Sequence, residues 1–265
     1  MQDVFNFNKF WGDPELATHV VFRRKSLMYC VYCGRKCYTA EHCPSKTFLK
    51  RPLPSNLPTV PACKACNNGF SSDERYTSWV INLFIEYYQT NNKEIYKITA
   101  EDRYQEIKDA KKAVGKFILE PFFDDRMARV FRKLALCHAV YEMSEGYYGE
   151  NWKEEPDRLV YTLKPYLSPQ QWDDLEYAEV VNNESIPRIG SRIFRNTYVI
   201  QGKMKSSQTE ENFDLSAVVV DWVDIQDGYY KYQVYFKEDR IWVKMIFQNF
   251  LYCEVVFSQN NENKI

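Results

Sequence analysis

The sequence predicts an α+β fold assembled from three stretches of different texture. Two Cys-x-x-Cys pairs, Cys30/Cys33 and Cys63/Cys66, bracket a proline-rich segment near the N-terminus. A helical middle follows, in which Met127, Val130, Phe131, Leu134, Cys137, His138 and Tyr141 recur at helical spacing. From about residue 186 onward, runs of β-branched and aromatic residues predict an antiparallel sheet. The chain has 265 residues, 45% of them hydrophobic, so it can bury a sizeable core as one large domain or two modest ones.

Taken in order, residues 1–28 read as a lead-in with an apolar, strand-like patch around His19–Phe22. Residues 29–70 read as short strands and loops, because Pro52, Pro54, Pro58 and Pro61 exclude a long helix there. Ser71-x-x-Glu74 has the pattern of a capping box, and it predicts a helix from there to about Tyr88, carrying Trp79, Ile81, Leu83 and Phe84. QTNNKE breaks it. Residues 101–178 read as mainly helical, with Asp124–Gly146 the clearest element and one or two more helices expected within Pro156–Tyr177.

The final third contains IFRNTYVIQGK, LSAVVVDWV, YYKYQVYFK, RIWVKMIF and LYCEVVF, which predict a sheet of four or five strands. Asp227-Gly228 and Glu238-Asp239 suit the turns between them. QGKMKSSQTEEN reads as a flexible loop and QNNENKI as a fraying tail. There is no internal repeat. The expected organisation is therefore a unit at 1–91 and an α+β unit at 92–265, helical over 92–180 and mainly β over 181–260.

No apolar run reaches the length of a membrane span, and the N-terminus lacks the basic-then-apolar layout of a secretory signal, so no membrane association and a cytoplasmic location are expected. The net charge of −1 hides an asymmetry. From Val20 to Arg75 ten basic residues face three acidic ones, a net of +7, and the remainder of the chain carries −8. A positive segment of this kind suits phosphate binding, although a solvated basic face is the commoner explanation for one. Lys46, Lys50, Arg51 and Lys64 are the candidate phosphate contacts.

Eight cysteines in a secreted chain would suggest disulfides. Here six crowd between Cys30 and Cys66 in paired metal-ligand spacing, which favours metal binding. Each Cys-x-x-Cys can form a knuckle that offers two sulfurs to one ion. Two knuckles complete a closed, tetrahedral and therefore structural zinc site. Cys37 or Cys43 could replace one of the four, and Cys43 also reads as a small buried hydrophobe. Between the pairs lie Glu41-His42 and Asn56-Leu57, and Asn67 abuts the last cysteine.

In this order and spacing the segment 28–90 resembles the HNH, or ββα-metal, endonucleases in their zinc-supported version. The resemblance covers roughly a third of the chain. It implies a core of two strands and a helix around one divalent ion, Mg²⁺ or Mn²⁺. Glu41 and Asn67 would bind that ion, with Asn68 an alternative to Asn67. His42 would be the general base, and Asn56 would orient the His ring and the loop. Neighbours on a strand point to opposite faces, so the resemblance also implies a bend that lets Glu41 and His42 reach one centre. The family's common form has Asp before the His; Glu41 departs from it, which leaves the geometry around the ion open.

The function expected from this is hydrolysis of phosphodiester bonds, with double-stranded DNA as the expected substrate and RNA as a variant of it, and with a defence-type role by analogy alone. Cutting both strands would favour a homodimer, and residues 92–265 would choose the target or bind a protein partner. The competing reading is a zinc-organised nucleic-acid-binding or adaptor protein without catalysis. His138 lies in an apolar helical run and reads as a packed core residue.

Overall fold

Among the residues described by the computed structural model, a strand hairpin, four α-helices and two antiparallel sheets make up the fold. The described residues are 29–55, 57–91, 94–117, 124–143, 156–181, 195–205 and 210–258. The strand-like patch at His19–Phe22, Asn56 and the tail after residue 258 lie outside the described residues.

Strands β1 (Ala40–His42) and β2 (Thr59–Pro61) pair antiparallel, with Glu41 opposite Val60 and His42 opposite Thr59. Helix α1 (Lys64–Thr90) follows after two residues. It starts seven residues before the expected capping box. Cys63 is its N-cap, and the Cys63 sulfur accepts the Cys66 amide at 3.4 Å, so a thiol takes the place usually held by a hydroxyl or carboxylate. Ser71 is an interior residue whose hydroxyl turns back to the Asn67 carbonyl. The helix buries Glu74, Thr77, Val80, Ile81 and Phe84 at three- and four-residue steps. It ends at Asn91, which takes the left-handed conformation at φ 54° and returns its amide to the Tyr87 carbonyl.

Helices α2 (Gln105–Phe117) and α3 (Asp125–Met143) pack on α1. Asp124 caps α3 by accepting the Met127 amide at 3.0 Å; the same carboxylate accepts the Tyr76 hydroxyl at 2.5 Å, tying α3 to α1. The stretch expected to add helices begins instead with strand β3 (Arg158–Leu163), then a 3-10 turn at Lys164–Tyr166 and the short helix α4 (Pro169–Glu176). The alternation in RLVYTL is a strand pattern, and the partner it needs, more than 80 residues later in the chain, is not visible locally.

Two antiparallel sheets stand where one was expected. Strand β4 (Glu179–Val181) pairs with β6 (Glu210–Val220), which also pairs with β5 (Arg195–Lys205). The larger sheet adds β7 (Val223–Gln226), β8 (Tyr230–Lys237), β9 (Arg240–Phe247) and β10 (Leu251–Ser258) in the order β3-β10-β9-β8-β7. Its turns are those expected: Gly228 has φ 69°, and Glu238 and Asp239 have φ 55° and 57°. Most of the segment read as a flexible loop is strand, because β5 and β6 pair through to Lys205 and Glu210.

Helix α3 lies at the centre. The Phe131 ring meets Phe247 of β9 at 5.4 Å and Tyr161 of β3 at 5.1 Å, and Phe247 meets Phe48 from the loop after β1. One continuous group of buried residues runs from Val31 through Phe84 and Leu134 to Phe257. The boundary expected after residue 91 therefore falls between helices that share one core. Truncating Phe131 to Ala should cost about 3–5 kcal/mol. Thermal unfolding followed by sheet circular dichroism and by absorbance of cobalt bound to the cysteines should shift together, as one core requires.

Candidate metal centre

Four sulfurs converge where the first turn of the described chain meets the start of α1. Tyr29 bridges Lys36, the Cys30 amide donates to the Arg35 carbonyl at 2.8 Å, and the Gly34 amide donates to the Cys30 carbonyl at 2.9 Å. Gly34 sits at φ 65°, a conformation a glycine accepts freely. This tight turn presents Cys30 and Cys33. Cys63, the helix N-cap, and Cys66, one turn on, supply the other two. The Val31 amide binds the Pro61 carbonyl at 3.0 Å, so β2 holds the two halves in register.

The ligand atoms of Cys30, Cys33, Cys63 and Cys66 all lie within 4.8 Å of one another, and Cys33 and Cys63 are 3.8 Å apart. Four thiolates at about 2.3 Å from a tetrahedral zinc ion stand about 3.8 Å apart. All eight cysteines are free thiols. The donor set and its spacing fit a zinc ion. Burial pushes the Cys30 and Cys66 thiols up, whereas the Cys66 amide and neighbouring thiols bring Cys63 down to about 7. A divalent cation would draw all four to the thiolate form. Cys37 is buried outside this group, and Cys43 lies in the core, so the alternatives for the fourth ligand fall away.

The residues between the pairs are arranged differently. Strand β1 keeps a regular register and turns Glu41 inward, leaving His42 half-buried on the other side. Glu41 forms an ion pair with Lys133 of α3, and Lys133 also pairs with Glu74 of α1. Lys133 is 2% exposed, and Glu41 and Glu74 are 5% exposed. The Ser45 hydroxyl donates to Glu74 at 3.1 Å, while Glu41 Oε2 is buried with no hydrogen-bond partner. Burial pushes Glu74 up to about 6 and Lys133 down to about 8, so both remain charged at neutral pH. The His42 Nδ1 atom is also buried and unpartnered; burial, with a smaller push from Lys46, lowers its pKa.

Asn67 is half-buried near the start of α1, where its amide closes the first helical turn on the Cys63 carbonyl, and Asn68 is exposed. Lys46, Lys50, Arg51 and Lys64 are all exposed. His138 is fully buried, as its apolar run implied: Nδ1 meets the Cys43 sulfur at 3.2 Å, Nε2 meets the Tyr230 hydroxyl at 2.7 Å, and the ring stacks on Tyr232.

Lys133 and Glu74 escaped the sequence reading. The signal for Lys133 was available, since it shares the helix face of Val130, Leu134 and Cys137, where an ammonium needs a buried partner. Glu74 reads as a helix-start residue when the helix begins at Ser71, but α1 begins at Lys64 and places Glu74 in its interior. Among the described residues no helix is long and apolar enough to cross a membrane.

Cobalt should bind one site per chain with the visible spectrum of a four-thiolate tetrahedral centre, and Cys66→Ser should abolish that spectrum. Lys133→Met should cost about 3–5 kcal/mol in chemical denaturation, because two carboxylates are left without their cation. Glu74 makes a separate contribution. Its folded pKa lies above the unfolded value of 4.5, so the folded state holds the proton more tightly and stability falls as pH rises through about 4.5 to 6. The stability of the wild type relative to Glu74→Gln should drop by about 2 kcal/mol between about pH 4 and 7.

Compared with known proteins, the chain matches no family model, no curated protein and no solved structure.

Proposed function

We propose that the chain is an endonuclease of the ββα-metal type that hydrolyses phosphodiester bonds, with double-stranded DNA as its substrate. One observation carries this reading. A strand hairpin, whose first strand ends in His42 and whose second runs within two residues into a helix, is pinned at that helix's first turn by a four-cysteine cluster, and Lys46, Lys50, Arg51 and Lys64 in the same segment are exposed. Zinc in that cluster would be structural, since four thiolates leave no open position for substrate.

In this reading His42 takes the proton from the attacking water. The half-buried ring supports the role, because burial and then Lys46 lower its pKa and so favour the neutral form that can accept a proton. The basic residues hold the phosphate and set the affinity. The Mg²⁺ or Mn²⁺ expected at Glu41 and Asn67 does not fit these residues as they stand. Glu41 is already neutralised by Lys133, and a second cation beside a buried ammonium would be repelled. No step is assigned to that ion, and metal dependence becomes a result of the assay. Cleavage of both strands calls for two sites, which is the argument for a homodimer.

The Glu41–Lys133 pair also favours a second reading, a zinc-organised nucleic-acid-binding protein without catalysis. Plasmid cleavage with and without Mg²⁺ or Mn²⁺, wild type against His42→Ala at equal bound zinc, separates the two. The nuclease reading expects the wild type to nick or linearise the plasmid and the zinc-loaded variant to lose at least about 100-fold in rate. Binding of DNA or RNA with no cleavage of either supports the second reading. Equal cleavage by both proteins removes His42 from the chemistry.

A further inference from the structure

The loop that follows His42 carries three of the four exposed basic residues, and the C-terminal sheet grips it at both ends. At the near end the Cys43 sulfur meets His138, which in turn meets the hydroxyl of Tyr230, the first residue of β8. At the far end the side-chain amide of Gln226, the last residue of β7, is matched to the loop backbone. Its Oε1 accepts the Lys50 amide at 2.7 Å, and its Nε2 donates to the Lys50 carbonyl at 2.8 Å and the Pro52 carbonyl at 3.3 Å. Between these points Phe48 packs on Phe247 and the Thr47 carbonyl accepts the Ser78 hydroxyl.

Gln226 and Tyr230 flank the same tight turn, which the Tyr229 amide closes on the Gln226 carbonyl at 2.9 Å. The pairing of β7 with β8 shifts register between Asp224 and Gln226, an irregularity of the kind that re-aims a side chain. The loop cannot extend the sheet as a strand, because Pro52 and Pro54 have no amide to donate. The Gln226 side-chain amide supplies both an acceptor, Oε1, and a donor, Nε2, and so replaces a strand contact. It leaves the Lys50 and Arg51 side chains exposed, with the Lys50 ammonium 5.5 Å from the Tyr229 ring.

We propose that Gln226 is a positioning residue for nucleic-acid binding: it fixes the backbone at Lys50 so that Lys50 and Arg51 meet the phosphates in one arrangement. The β7–β8 hairpin of the C-terminal part thereby sets the affinity of the N-terminal segment. This rests on the nucleic-acid reading above.

The test uses the full, zinc-loaded chain and a short DNA duplex, with binding followed by fluorescence anisotropy over a range of salt concentrations. The proteins are wild type, Gln226→Met, Lys50→Ala with Arg51→Ala, and all three changes together. Gln226→Met keeps the side-chain length and removes all three hydrogen bonds. It should weaken binding about tenfold and flatten the salt dependence by about one to two phosphate contacts. Added to the Lys50 and Arg51 changes it should weaken binding no further, because the residues it positions are gone. Hydrogen exchange at the Lys50 amide should speed up in Gln226→Met while the amides of α3 keep their protection.

A Gln226→Met loss that multiplies with the Lys50/Arg51 loss overturns the proposal, as does an unchanged salt dependence; Gln226 would then be a structural tie alone. An unchanged exchange rate at Lys50 overturns it too, by showing that Gln226 does not hold the loop. A wild type that binds no duplex removes the nucleic-acid reading itself. That failure is distinguishable, because the exchange measurement still reports the clamp without any DNA.

Discussion

One buried ammonium holds the centre of the molecule. Lys133 reaches from α3 to Glu41 on β1 and Glu74 on α1, so three elements far apart in sequence meet at a single charge. The centroids of the Tyr32 and Phe70 rings lie 5.9 and 5.4 Å from the ammonium. Removing such charges from water is costly, and the cost is offset only while all three partners stay in contact. The arrangement is therefore demanding about geometry: β1, the start of α1 and the middle of α3 cannot shift independently. It also decides the chemistry available at Glu41, whose carboxylate serves as an internal counter-ion.

Helix α1 carries this constraint outward. Its first turn belongs to the cysteine cluster, its second and third to the ion group and the Ser45 contact, and its remainder to the shared core with α2 and α3. Asp73 on the same helix binds Arg126 and Arg129 at 2.9 and 2.5 Å, fixing the outer side of the α1–α3 contact. The metal centre and the C-terminal sheet are thus ends of one packed chain of elements. The Gln226 contact and the Cys43–His138–Tyr230 series add two shorter connections to the same strand and loop.

Legibility in the sequence followed the range of the interactions. The four cysteines, the turns at Gly228 and Glu238-Asp239, and helix α3 were readable because each depends on residues close together in the chain. The same holds for the burial of His138. What was missed depends on distant partners. β3 is a strand because β10 lies beside it. Glu41 is an ion-pair partner because α3 delivers Lys133. Gln226 looks like any polar residue at a turn until the loop at Lys50 is brought to it. The start of α1 was missed for a chemical reason, since a cysteine sulfur stands in the capping place where Ser, Thr, Asp or Asn is the usual sign.

The position of β10 has a consequence for synthesis. It lies between β9 and β3, and Val255 is paired with Val243 on one side and Leu159 on the other. It is the last described strand to leave the ribosome, yet its neighbours cannot join without it. While the chain grows, the cysteine cluster can close early from nearby residues, but β3 must wait without its described partner strand for about 90 residues more. An unpaired strand of this kind is where nascent chains pair wrongly. The chain's yield in a cell would then depend on how quickly β10 follows β3 as well as on how firmly the finished fold holds.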